Sequence, residues 1–169
     1  LPNGDILVVE GSAPAAPTSQ PKQLVTGLVQ KASGKGGAGG NRITLLRSSD
    51  GKSWQKYPFL ENLRSPFGVQ LIGDTLYVAN ADSLMKYRYE SGATKITDPG
   101  TELTELPGGP INHHWTKSLL ASPDGSKLYV VVGSNSNITE NGIGAEYRRA
   151  DILEVDAASG ASRIYASGQ

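Results

Sequence analysis

The sequence predicts an all-β fold arranged as a β-propeller of four-stranded antiparallel blades, with about three blades present. Three observations predict it. Glycine and proline are frequent, at 21 and 10 of 169 residues, which suits a chain that turns often. No segment carries a sustained 3.6-residue apolar period, and only residues 61–64 and 145–150 suggest a turn of helix. One pattern also occurs three times, a Gly-containing tight turn followed by a strand of β-branched and aromatic residues.

The three copies are Leu1-Pro2-Asn3-Gly4-Asp5-Ile6-Leu7-Val8-Val9, Leu71-Ile72-Gly73-Asp74-Thr75-Leu76-Tyr77-Val78-Ala79 and Ser122-Pro123-Asp124-Gly125-Ser126-Lys127-Leu128-Tyr129-Val130. Each is followed by a second apolar stretch: residues 42–47, 83–89 and 151–156. Turns at Glu90-Ser91-Gly92 and Ala158-Ser159-Gly160 then lead to further strands at 94–96 and 162–165. The turn glycines 4, 73 and 125 lie 69 and 52 residues apart, a spacing suited to propeller blades. The units are expected near 1–63, 64–118 and 119–169.

Two passages break the scheme. Residues 11–40, rich in Gly, Ala, Pro and Ser, form a long loop inserted in the first unit. Lys35 is followed by Gly36, so this is no phosphate loop. Residues 133–148 form a second long loop, in the third unit. Long loops on one face of a repetitive scaffold are where binding concentrates. A propeller must close into a ring, and three units would leave open sheet edges. The chain is therefore expected to be a fragment of a larger propeller or to pair with a second chain.

Sixteen basic residues balance sixteen acidic ones, so neither nucleic acid nor an anionic membrane is the expected partner. There is no cysteine, which excludes disulfides and thiolate metal sites. No apolar run approaches the roughly 20 residues of a membrane helix.

The two histidines, His113 and His114, are adjacent in Asn112-His113-His114-Trp115-Thr116. Histidine is the side chain best suited to take a proton near neutral pH. Neighbours on an extended segment point opposite ways, so the pair is a poor joint metal site. The alternative is two rim histidines hydrogen-bonded to backbone. Arg64 before Ser65-Pro66 is either a solvated turn residue or a guanidinium for a ligand carboxylate. Asn135 and Asn137 are loop residues able to hydrogen-bond a ligand. Glu140 and Glu146 are solvated acids or, since carboxylates suit calcium, candidate ligands for that ion. Arg148 and Arg149 read as structural ion-pair residues. Trp54 and Trp115 read as packing residues, with Trp115 also a candidate sugar platform.

The sequence resembles the sorbosone dehydrogenase and soluble aldose dehydrogenase group. The resemblance rests on residues 1–8, Asn41-Arg42-Ile43-Thr44-Leu45-Leu46-Arg47, Ser65-Pro66-Phe67-Gly68, residues 76–80, Leu106-Pro107-Gly108-Gly109 and residues 112–116. Gly133-Ser134-Asn135-Ser136-Asn137 and Glu146-Tyr147-Arg148-Arg149-Ala150 complete it. The resemblance implies a six-bladed propeller that oxidises a sugar hydroxyl or aldehyde by hydride transfer to pyrroloquinoline quinone (PQQ), and it admits calcium as a second ligand. It implies that His114, five residues before Leu119, is the general base. It places His113 at the cavity rim, facing the cofactor or orienting the base; beside it, Arg64 is read as a partner for a cofactor carboxylate, and Asn135 and Asn137 as hydrogen-bonding the sugar or the cofactor. A small sugar, an external electron acceptor and a periplasmic or secreted setting follow from the same likeness. Ser48-Ser49-Asp50-Gly51-Lys52 keeps only part of the family's acidic, glycine-rich continuation. The later basic residues that grip the cofactor's carboxylates are absent from these 169 residues. A non-catalytic carbohydrate- or protein-binding propeller and a calcium-dependent lactonase-like propeller are the competing readings.

Overall fold

The computed structural model describes residues 1–14, 40–109 and 114–168. Most of the 11–40 insertion and His113 lie outside the described residues. Among the described residues, eleven strands form three antiparallel sheets in chain order. The first holds β1 (Ile6–Glu10), β2 (Arg42–Arg47) and β3 (Gln55–Leu60). The second holds β4 (Gly68–Ile72), β5 (Thr75–Ala79), β6 (Ser83–Arg88) and β7 (Thr101–Glu105). The third holds β8 (Lys117–Ala121), β9 (Lys127–Val132), β10 (Asp151–Asp156) and β11 (Ser162–Ser167). The fold is all-β and propeller-like, with the first sheet three-stranded among the described residues. β8 starts at Lys117, so the third sheet begins slightly ahead of the boundary expected at residue 119.

Period-two alternation decides how the sheets stack. On β5, Leu76 and Val78 point to the first sheet and join Ile43, Leu45, Phe59 and Tyr87. Tyr77 and Ala79, between them, point the other way and join Leu128, Val130, Val132, Leu153 and Val155. The second sheet is thus buried on both faces, and β5 is buried from Leu76 to Ala79. The flanking sheets each turn one face outward. Ile6 and Val8 are exposed on one, and Leu120, Val131 and Tyr165 on the other.

The hairpins are made by local chemistry. Gly73, at φ +57, takes the left-handed conformation demanded by the two-residue turn between Ile72 and Thr75. Aspartates organise three other turns. Asp50 accepts from the Lys52 and Ser53 N–H groups, both at 2.8 Å. Asp124 accepts from Ser126 N–H at 3.0 Å, and Asp156 from Ser159 N–H at 2.9 Å. Those donors favour the ionised form. The Ser53 and Lys52 N–H groups hold Asp50 down at about 2, and the Ser122 hydroxyl does the same for Asp124. At the first turn, Arg47 grips Asp5 at 2.6 Å.

One expected strand moves. Residues 94–96 do not pair with β6; that place is taken by β7. Ile96 instead donates its N–H to the Phe59 carbonyl at 2.7 Å and buries its side chain in the first core. Burying Ile96 outweighs continuing the hairpin. The expected helical turn near 145–150 becomes one turn of 3₁₀ helix, Ile143–Glu146.

Candidate active site

The meander order sends β4, β6, β8 and β10 away from one end of the sheets and returns β5, β7 and β9 to it. Residues 64–67, 80–82, 106–109, 114–116 and 133–150 therefore converge on that end. Glycines make the convergence tight. A Cβ on Gly68 would stand 2.7 Å from Leu119 N, so β4 and β8 lie side by side. A Cβ on Gly133 would stand 2.6 Å from the His114 carbonyl oxygen. Trp115 meets Phe67 edge to face, with ring centroids 6.2 Å apart.

His114 is exposed at this end. Its Nδ1 lies 2.8 Å from Ser134 Oγ and 3.2 Å from the Ser134 carbonyl oxygen. The carbonyl only accepts, so an Nδ1–H would satisfy it and leave the Nε2 lone pair open as a base, while the nearer hydroxyl can take either role.

The serine is held in turn. Asn135 and Ser136, which follow it, donate their N–H groups to Glu146 at 2.6 and 3.1 Å, and the Ser136 hydroxyl adds a bond at 3.0 Å. Glu146 is 2% exposed. Burial pushes its carboxyl up, but the Asn135 N–H, the Ser136 donors and the Arg149 guanidinium outweigh that and hold it low. It is a buried carboxylate engaged by its own loop.

Asn135 is buried, and its Oδ1 accepts from Asn141 Nδ2 at 2.8 Å. Asn137 is exposed two residues on. His114 and Asn135 thus meet through one loop. Arg64 reaches the same end from another direction. Its guanidinium is 60% exposed, bonds Ser83 Oγ at 3.1 Å, and lies 3.5 Å from both Asp82 and Glu102.

Lys117, at the start of β8, is fully buried and donates to the Trp115 carbonyl at 2.9 Å. Burial, reinforced by Arg149 and opposed by Asp82, lowers its pKa to about 8. Ser134 and Lys117 were not readable as site residues, and Glu146 was legible only as a solvated acid or a calcium ligand. Their partners lie two to twenty residues away, and only folding defines the contacts. Among the described residues no cluster of three or more His, Asp or Glu side chains is arranged to hold a metal. Glu140 spends an oxygen on Ile138 N–H at 3.0 Å. The described acids thus form no calcium cage, and among the described residues no helix is long and apolar enough to cross a membrane.

The TrAA12-like family model matches residues 38–168. No curated protein sequence matches significantly. Among solved structures, the chain is similar to the holo form of a pyranose dehydrogenase PQQ domain from Coprinopsis cinerea, with 13% identity and a TM-score of 0.58 over 96% of this chain and 41% of that one. It is also similar to the iodide structure of a Trichoderma reesei carbohydrate-active enzyme of family AA12, with 13% identity and a TM-score of 0.54 over 93% of this chain and 40% of that one. The calcium structure of the Trichoderma reesei family AA12 enzyme matches at 12% identity and a TM-score of 0.55, over 94% and 40%. The chain spans about two fifths of the length of these structures.

Proposed function

The chain belongs to the TrAA12-like family, and we propose that it supplies the general base of a PQQ-dependent oxidoreductase acting on a sugar hydroxyl or hydrated aldehyde. The observation that carries this is His114, with Nδ1 committed to Ser134 and Nε2 left as a base beside Arg64's end of the sheets. Sorbosone and aldoses are the substrates that the sequence resemblance favours.

The donor set fits a polycarboxylated quinone. Arg64 offers an open guanidinium whose ion pairs, at 3.5 Å, are too loose to satisfy it. Arg64, His113 and Asn137 would hold the cofactor, while Asn135 shapes the loop that presents Asn137. PQQ, when bound, supplies the acceptor for the hydride leaving the oxidised carbon. The protein's own part is the proton. His114 Nε2 takes it from the hydroxyl oxygen as the carbonyl forms, and the Nδ1–H bond to Ser134 stabilises the imidazolium that results. Trp115, pinned by Phe67, keeps the His114 backbone in place. The setting we propose is periplasmic or secreted, with an external electron acceptor.

His114→Ala in the intact protein tests the reading. PQQ affinity is expected to stay within a few-fold, and turnover to fall by about 10²-fold or more. Full turnover in the variant removes His114 from the mechanism.

A further inference from the structure

We propose that Glu146 is a positioning residue for His114: by holding the 134–136 loop it keeps Ser134 on Nδ1 and so keeps the hydrogen off Nε2. The inference rests on the reading of His114 as the base.

The geometry forms one continuous path. His114 Nδ1 meets Ser134 through both the hydroxyl and the carbonyl. The next two residues give their N–H groups to one carboxylate, and Ser136 adds its hydroxyl. Residues 133–142 belong to no strand or helix. With no ladder bonds to set the loop's path, a buried acceptor for consecutive N–H groups does so instead. The acceptor is itself anchored, because the Arg149 N–H donates to the Glu146 carbonyl at 2.8 Å. Gly133 approaches the His114 backbone too closely for any side chain, so the loop passes directly against the histidine just before Ser134. Free neutral imidazole prefers the hydrogen on Nε2, the tautomer that cannot act as a base there. Holding the other tautomer therefore needs a fixed acceptor.

The test is a spectroscopic signature that a general loss of packing does not mimic. In ring-¹⁵N-histidine-labelled intact protein, the His114 spin system is assigned as the one lost in His114→Ala. At a pH where His114 is neutral, the wild-type ring is expected in the Nδ1–H form. Glu146→Ala is expected to move most of the His114 population to Nε2–H, with strand amide dispersion retained and kcat falling about tenfold at near-constant KM. Ser136→Ala removes one of these donors and is expected to give a smaller shift in the same direction; it remains readable if Glu146→Ala does not fold. A wild-type Nε2–H ring overturns the proposal, as does an unchanged Nδ1–H ring in both folded variants. A shifted tautomer with unchanged sugar oxidation upholds the positioning role and instead refutes the assignment of His114 as the base.

Discussion

Lys117 carries a cost that can be measured without substrate or cofactor. Its ammonium is fully buried on β8 with one hydrogen bond among the described residues, to the Trp115 carbonyl, and its pKa falls from the ordinary 10.5 to about 8. Burial is the main cause, Arg149 adds to it, and Asp82 offsets part. Between these two values the unfolded chain holds a proton that the folded chain has released. The unfolded state then binds more protons, so stability rises with pH across that window. Below pH 8 both states are protonated, and the fold bears the whole cost, about 3 kcal/mol at 1.36 kcal/mol per pH unit. From pH 8 to 9.5 the gain is about 2 kcal/mol. Tyr77, Tyr87 and Tyr129, all pushed up by burial first, oppose the rise as the unfolded chain's tyrosines ionise near pH 10, so the measurement stops before that. The assay is urea unfolding of the intact protein at half-unit steps from pH 7 to 9.5. Lys117→Met is expected to flatten the profile, and the lost bond to Trp115 adds an offset independent of pH. A flat wild-type profile, or the same slope in the methionine variant, refutes the reasoning.

Arg64→Ala removes ion pairs that are long and exposed, so stability should change by less than about 1 kcal/mol. PQQ affinity should drop by about tenfold or more in an equilibrium titration; unchanged affinity removes Arg64 from the cofactor site. Gly133→Ala places a methyl group against the His114 backbone and Cβ, not against the far end of a flexible side chain. It is expected to cost about 1–3 kcal/mol in denaturant unfolding and to lower kcat more than it raises KM. A silent substitution would mean that the two backbones are farther apart than described.

The sequence displayed the strands that obey simple rules. A turn glycine followed by Ile, Leu, Tyr and Val marked β1, β5 and β9, because alternation and turn chemistry are local. β4 and β8 were harder to see. Gly68 and Lys117 open them, and these residues suit a strand only because the two backbones run so close that no side chain fits at Gly68. β3 contains Pro58, and β7 is Thr-Glu-Leu-Thr-Glu, so neither carries a strong apolar signal. Residues 94–96 looked like a strand because Ile96 is β-branched, yet its burial site lies across in the first sheet. At the candidate site, the adjacent histidines were legible as chemistry. The acceptor for His114 was not, since Ser134 lies twenty residues downstream. Glu146 looked like a solvated acid or a calcium ligand beside a glycine-rich loop. Its role emerges only when the loop folds its N–H groups onto the carboxylate.

The central claim is that a sugar passes its hydride to PQQ at the end of the sheets where His114 and Arg64 converge. The most direct test loads the intact protein with PQQ and follows the quinone's visible absorption while pyranose sugars are added without any electron acceptor. The account predicts stoichiometric loss of the oxidised spectrum with at least one sugar, and that loss should slow by about 10²-fold in His114→Ala. A protein that binds no PQQ, or whose bound quinone stays oxidised with every sugar, contradicts it.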